Sequence, residues 1–315
     1  MLIDQISMHP LWKELNSKYK ILPISPASYP YCEYEKIKSI PKINLSDIEP
    51  LLNKNSHPFH SNSDKKRLEI LNKALYSDEE NLIIWCVNGG YGSSKLIQFL
   101  DKQTKPKIEK KFIGYSDITA LHLFLSQKWG WKTIHGACLG ELFKSNKNAN
   151  NFIHILNLVL NNRRTVNNNY FSNIISLNIS AKKFKDKFYN YELTGGNLAI
   201  IQTSFGTNWQ INIKDKILFL EDVGEEGYKV DRMLYHLKST LKSEYIKAII
   251  FGEFIKSDEH INFTINDFAN QNSEIPMYKT NKIGHGKNNF PIIYNEKGLI
   301  RSTIGIPSYF QTQLY

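Results

Sequence analysis

A chain of 315 residues, 41% hydrophobic and 12% aromatic, can bury one large core or two of ordinary size, which excludes a disordered chain. Its formal charge of +10 comes from lysines scattered without a long basic block, so a general Lys and Asn bias explains it better than a nucleic-acid surface, and no nucleic-acid partner is expected. No apolar run approaches the roughly 20 residues that span a bilayer, and the first 20 residues lack a signal-peptide core, so a cytoplasmic protein without membrane contact is expected.

Residues 1–20 read as an extension with a short helix around Leu11 to Leu15. Ile21 to Ser28 resembles a first strand that ends in a small-residue turn. Leu68, Leu71 and Leu75 mark an amphipathic helix that starts at a Ser/Asp cap near Ser63. It leads into Asn81 to Val87, a continuous apolar run of the kind required by a parallel strand buried on both faces. That strand ends in Asn88-Gly-Gly-Tyr-Gly-Ser-Ser94, followed by a helix from about Lys95 to Leu100. Glycines at a strand-to-helix turn leave N–H groups pointing outward, where they can cradle a phosphate or an oxyanion. The stretch matches neither Gly-x-Gly-x-x-Gly nor a P-loop.

Lys111 to Ile113 reads as a buried strand end, Ser116 falls at the turn, and Ile118, Leu121 and Leu125 follow at helical spacing. A serine held there faces the helix dipole and backbone N–H groups, which suits a nucleophile, although on this stretch alone a helix cap is the commoner role. Trp131 to Gly136 repeats the pattern of a strand ending in Gly. Strands alternating with helices imply a parallel sheet, in which ligands bind beyond the carboxyl ends of the strands.

Asn-rich residues 144–170, around a helix at Phe152 to Leu160, read as a linker. Beyond it, Asn173 to Ile179 and Phe188 to Leu193 are strand-like, and Thr194 to Asn197 opens a short helix. Lys216 to Asp222 is a strand ending in two carboxylates, Glu221 and Asp222. Val230, Met233, Leu234, Leu237 and Leu241 define the helix after it. Lys247 to Phe251 is a further strand, and His285 lies in a Gly-flanked turn. The resulting organisation is an extension at 1–20, an α/β domain at 21–143, the linker, and a smaller carboxyl-terminal α/β domain at 171–315.

Serine hydrolysis needs a hydroxyl, an imidazole, an orienting carboxylate and N–H donors for an oxyanion. Ser116, His285, Glu221 and Gly89-Gly90 supply each type at a strand end or loop. Ser-x-x-Lys matches, among them those at 63, 180 and 239, are what a Lys-rich chain produces by chance. His57-x-x-His60 lacks a third ligand, so no metal is expected. Cys32, Cys86 and Cys138 are odd in number and widely spaced, which fits a reducing compartment rather than a disulfide framework.

Taken in order, Gly-Gly-Tyr-Gly at 89–92, Gly-Tyr-Ser-Asp-Ile-Thr-Ala-Leu-His at 114–122, His-Gly at 135–136, Gly-Gly-Asn-Leu at 195–198, Leu-Phe-Leu-Glu-Asp-Val-Gly-Glu at 218–225, Asp-Arg-Met-Leu at 231–234 and Gly-His-Gly at 284–286 resemble the serine LD-carboxypeptidase family. The resemblance runs from about residue 21 to 305. It implies an amino-terminal parallel-sheet domain like that of class I glutamine amidotransferases, and a second domain carrying the Glu and His. It further implies Ser116 as nucleophile, His285 as base and acid, Glu221 as orienting carboxylate, and the N–H groups of Gly90 and Asp117 as the oxyanion hole. The implied reaction is hydrolysis of the L-D amide bond of murein tetrapeptides, releasing D-alanine in peptidoglycan recycling, without a cofactor and in a homodimer. The alternative is a microcin-C-type immunity peptidase acting on aminoacyl-nucleotide conjugates. Arg232 and the surplus lysines are candidates for holding the substrate's terminal carboxylate. The chain departs from the family at Asn88, where Arg is usual.

Overall fold

The apolar run at 81–87 becomes strand β2 (Leu82–Cys86), buried at every position. Its need for cover on both faces organises the first half of the chain. The computed structural model describes residues 8–29, 43, 56–143, 149–160, 171–183, 188–241, 245–303 and 306–312. It divides into two units, Met1–Asn162 and Arg163–Tyr315. Among the described residues, no helix is long and apolar enough to cross a membrane.

In the first unit β1 (Lys20–Ile24), β2, β3 (Lys111–Gly114) and β4 (Ile134–His135) pair in that order, all parallel. The strand expected over 131–136 is therefore only two residues long. Helices α1 (Pro10–Lys18), α2 (Asp64–Leu75), α3 (Ser94–Leu100), α4 (Thr119–Trp129) and α5 (Ala149–Val159) lie among the described residues of the same unit. Ser63 caps α2 by accepting from the Lys66 N–H, as its sequence signature predicts. Helix α4 is buried almost all round and stops at Gly130, whose φ of 69° few other residues adopt. Helix α5 falls within the stretch read as a linker, and its Phe152 is fully buried, stacked 5.3 Å from Trp85 of β2. Trp12 and Leu15 of α1, in the stretch read as an extension, are buried too. Cys32 lies outside the described residues.

In the second unit seven strands close into a barrel, which removes free edges from the sheet. Four run parallel: β6 (Phe188–Asn197), β7 (Ile217–Val223), β8 (Ala248–Ile255) and β9 (Met277–Lys279). Antiparallel pairings through β5 (Phe171–Ser176), β12 (Ile306–Thr312) and β11 (Lys297–Thr303) return the sheet to β6. A two-residue strand, β10 (Ile292–Ile293), precedes β11. Helices α6 (Ile179–Lys183), α7 (Leu198–Gln202), α8 (Gly227–Thr240) and α9 (Ile261–Gln271) flank them. Strand β6 runs straight through Thr194-Gly-Gly-Asn197, and α7 begins only after Asn197 has capped it. The fold is thus α/β in two units, each built around parallel strands.

Candidate active site

Ser116 follows β3 by two residues and opens a 3-10 turn, Ser116–Ile118, that leads into α4. Its φ is +64°, in the left-handed region that costs a residue with a Cβ roughly 1–2 kcal/mol. A serine in that conformation is held by its surroundings rather than by preference, as in a strained strand-to-helix turn that presents a nucleophile. The turn is anchored from behind by His122 of α4, whose Nε2 lies 2.8 Å from the Gly114 carbonyl. A carbonyl only accepts, so Nε2 carries the hydrogen.

The glycine loop lies directly against this serine. A Cβ placed on Gly89 would fall 2.8 Å from Ser116 Cβ and 3.1 Å from its Oγ, so only glycine fits. Two sets of contacts fix the loop. On one side, the Gly89 carbonyl accepts from Asn88 Nδ2 at 2.9 Å and the Ser28 N–H at 3.3 Å, while the Tyr91 N–H donates to Ser28 Oγ at 2.9 Å. On the other, the Asp117 carboxylate accepts from the N–H groups of Ser93 at 2.8 Å and Gly92 at 3.3 Å. The Asp117 carbonyl accepts from Ser93 Oγ at 2.6 Å. Burial pushes the Asp117 pKa up, against those hydrogen bonds and the Arg67 charge. Arg67, fully buried, donates to the carbonyls of Gly92 at 2.9 Å and Pro26, and pairs with Asp64 at 2.6 Å.

In the second unit the ends of parallel strands gather the other groups. Glu221, fully buried on β7, accepts from His285 Nδ1 at 2.6 Å. That short contact leaves Nε2 as the basic nitrogen of the ring. Gly284 makes the approach feasible: its φ is +114°, and a Cβ there would lie 3.0 Å from Glu221 Cβ. Gly286 lies against the Glu253 carboxylate. Burial pushes the Glu253 pKa up, opposed by Lys282 and Lys279.

Asp222, beside Glu221, has a different task. Its carboxylate accepts from Asn197 Nδ2 at 2.9 Å and from the N–H groups of Ala199 and Val223, both at 2.8 Å, tying β7 to the start of α7. Burial and the neighbouring Glu221 charge push its pKa up to about 6. Arg232 stands exposed on α8, 5.9 Å from the centre of the Tyr228 ring. No described contact joins it to Glu221 or His285.

The structure therefore groups Ser116, Asp117 and Gly89-Gly90 in the first unit, and Glu221 with His285 in the second. Sequence reasoning missed Arg67, Ser28 and the carboxylate role of Asp117. Arg67 lies three residues before Ile70, four before Leu71 and seven before Ala74, so the helical period puts it on the buried face, and its charge is what hid that signal.

Comparison with known proteins gives this arrangement its context. The LD-carboxypeptidase N-terminal domain matches residues 21–136 and the LD-carboxypeptidase C-terminal domain matches residues 192–300. Fold and matches together define a two-domain α/β protein of the carboxypeptidase class. A candidate carboxypeptidase of Rickettsia conorii is 45% identical over 264 residues, 84% of this chain and 82% of that protein. The murein tetrapeptide carboxypeptidase of Pseudomonas aeruginosa is 28% identical, over 71% of this chain and 74% of that one. The crystal structure of an MccF-like protein from Bacillus anthracis shares the fold, with a TM-score of 0.72 at 19% identity, covering 94% of this chain and 97% of that one. The chain belongs to the LD-carboxypeptidase family.

Proposed function

We propose that this protein is a serine carboxypeptidase that hydrolyses the L-D amide bond of murein tetrapeptides and releases D-alanine, with Ser116, His285 and Glu221 as its triad. The observation that carries the reading is the 2.6 Å contact between His285 Nδ1 and a fully buried Glu221, which orients an imidazole as a base. The left-handed Ser116 on its glycine-lined turn supports the nucleophile, and the Pseudomonas relative supports the substrate class.

His285 Nε2 removes the Ser116 proton as Oγ attacks the carbonyl carbon of the L-residue. The tetrahedral oxyanion is held by the N–H groups of Gly90 and Asp117. Collapse breaks the C–N bond, and His285 returns the proton to the departing D-alanine amine. Water, deprotonated by the same imidazole, then hydrolyses the acyl-enzyme and regenerates Ser116. The substrate's terminal carboxylate calls for a cation, for which Arg232 and nearby lysines are the candidates. The same reading puts the reaction in cytoplasmic peptidoglycan recycling, carried out by a homodimer.

The test incubates the purified protein with a murein tetrapeptide and measures free D-alanine, with Ser116→Ala alongside. Release by the wild type and a loss of several orders of magnitude in the variant are expected, because triad members act as a unit. Equal release by both proteins, or cleavage of an aminoacyl sulfamoyl adenosine with no action on the tetrapeptide, overturns the proposal.

A further inference from the structure

The peptide group joining Gly89 to Gly90 is gripped at its carbonyl end. Two donors converge on the Gly89 oxygen, Asn88 Nδ2 at 2.9 Å and the Ser28 N–H at 3.3 Å. Asn88 is itself locked: Nδ2 also donates to the Tyr29 carbonyl at 3.2 Å, and Oδ1 accepts from Ser25 Oγ at 3.2 Å. The amide cannot be reversed, because a flip would set its oxygen against two carbonyl oxygens. The next peptide is held as well, since Ser28 Oγ accepts the Tyr91 N–H at 2.9 Å and donates to the Phe59 carbonyl at 2.8 Å.

There is no cis peptide bond among the described residues, and in a trans peptide the N–H points opposite to the C=O. Fixing the Gly89 carbonyl toward Asn88 and Ser28 therefore fixes the Gly90 N–H away from them. That N–H belongs to a peptide whose Gly89 Cα abuts Ser116.

We propose that Asn88 is a positioning residue for catalysis: it aims the Gly90 N–H at the oxyanion by holding the carbonyl at the other end of the same peptide, with Ser28 as the second grip. This rests on the serine-hydrolase reading above, in which Gly90 supplies an oxyanion donor. The side-chain contacts of Asn88 are with Ser25, Tyr29 and Gly89 and with none of the triad residues, so on this proposal its effect belongs to the tetrahedral state and not to substrate binding.

The test compares Asn88→Ala and the isosteric Asn88→Asp with the wild type, each normalised to the Ser116 sites titrated by a fluorophosphonate. Removing one oxyanion donor outright costs about 10²–10³ in kcat; loosening one that keeps its Ser28 grip is expected to cost about 10- to 100-fold. KM for the tetrapeptide and the affinity of the tripeptide product should stay within about threefold, as interactions made only in the transition state require. A tripeptidyl boronic acid, whose tetrahedral adduct on Ser116 carries an oxygen at the oxyanion position, should weaken by the same factor as kcat. Asn88→Asp should be no better than Asn88→Ala, because a carboxylate oxygen would face the Gly89 carbonyl. If Asn88→Ala fails to fold, Asn88→Asp carries the same comparison.

Wild-type kcat and boronate affinity in the folded variants would overturn the proposal, as would a rise in KM alone. A wild type that releases no D-alanine, or a Ser116→Ala that still does, fails the parent reading instead, and the two failures are read from different proteins.

Discussion

His122 offers a test of how the turn that carries Ser116 is held. Its ring is fully buried on α4, its Nε2 donates to the Gly114 carbonyl two residues before Ser116, and burial lowers its pKa from 6.5 to about 4. The folded value lies below the unfolded one, so protons bind the unfolded chain more tightly. The stabilisation from a neutral His122 is therefore intact above pH 6.5 and is lost as pH falls toward 4. With the ring out of solvent, linkage gives a loss of about 2 kcal/mol between pH 7.5 and 5, approaching about 3 kcal/mol below pH 4. His60, also lowered to about 4, adds to the slope in the same window, so the measurement must be a difference. Urea unfolding followed by tryptophan fluorescence reports chiefly on the first unit, because Trp12, Trp85, Trp129 and Trp131 lie there and only Trp209 in the second. His122→Gln can keep a donor toward Gly114 but has no proton to gain. Its stability should fall less than the wild type's between pH 7.5 and 5, by about 2 kcal/mol. Equal losses in the two proteins would refute the reasoning, and with it the picture of a neutral imidazole bracing the turn.

Three further outcomes follow from the second unit. Glu221→Gln, which keeps the shape but removes the charge facing His285 Nδ1, should lower kcat by about 10³–10⁴ with little change in KM, read as D-alanine release at saturating tetrapeptide. Gly284→Ala forces a side chain into φ +114° and sets it 3.0 Å from Glu221 Cβ; release should fall at least about tenfold even well below the variant's Tm, because a misplaced imidazole loses rate steeply. Asp222 should titrate near pH 6 by carboxyl carbon NMR rather than near 3.8. With its folded pKa raised, its contribution to stability is full below pH 3.8 and declines as pH rises through 6.

The parallel core was legible because burial on both faces leaves an unbroken apolar run. The apolar runs at 81–87, 111–113 and 216–222 match β2, β3 and β7 to within a residue or two. Where one periodicity hides inside another requirement, the reading stopped. Thr194-Gly-Gly-Asn197 looks like a helix opening, yet β6 continues through it because Gly195 packs its Cα onto the backbone of Phe219 in the neighbouring strand. Helix α5 looked like part of a linker because Asn-rich sequence surrounds it, while Phe152 is stacked on Trp85. The closing strands β11 and β12 carry no run or alternation strong enough to announce a barrel, since closure depends on pairings between distant segments.

The same division runs through the site. Ser116, Glu221 and His285 stand at strand ends or between glycines, features the sequence displays, although the contacts that require those glycines, Gly89 with Ser116 and Gly284 with Glu221, join distant segments. What local sequence could not supply is the set of groups that fix those neighbours from far along the chain. Ser28 reaches 61 residues forward to the Gly89 carbonyl and Arg67 reaches 25 to the Gly92 carbonyl, each adding a second donor to a loop carbonyl that also accepts from nearby in the chain, Gly89 from Asn88 Nδ2 and Gly92 from the Lys95 N–H. Asn88 suits this place by the number and direction of its hydrogen bonds. Two amide hydrogens on one nitrogen can bind two carbonyls while the oxygen takes a hydroxyl, so the loop keeps its direction without a charge. Asn88 thus holds the Gly89 carbonyl with an uncharged amide, which leaves the Gly90 N–H on the opposite side of the same trans peptide.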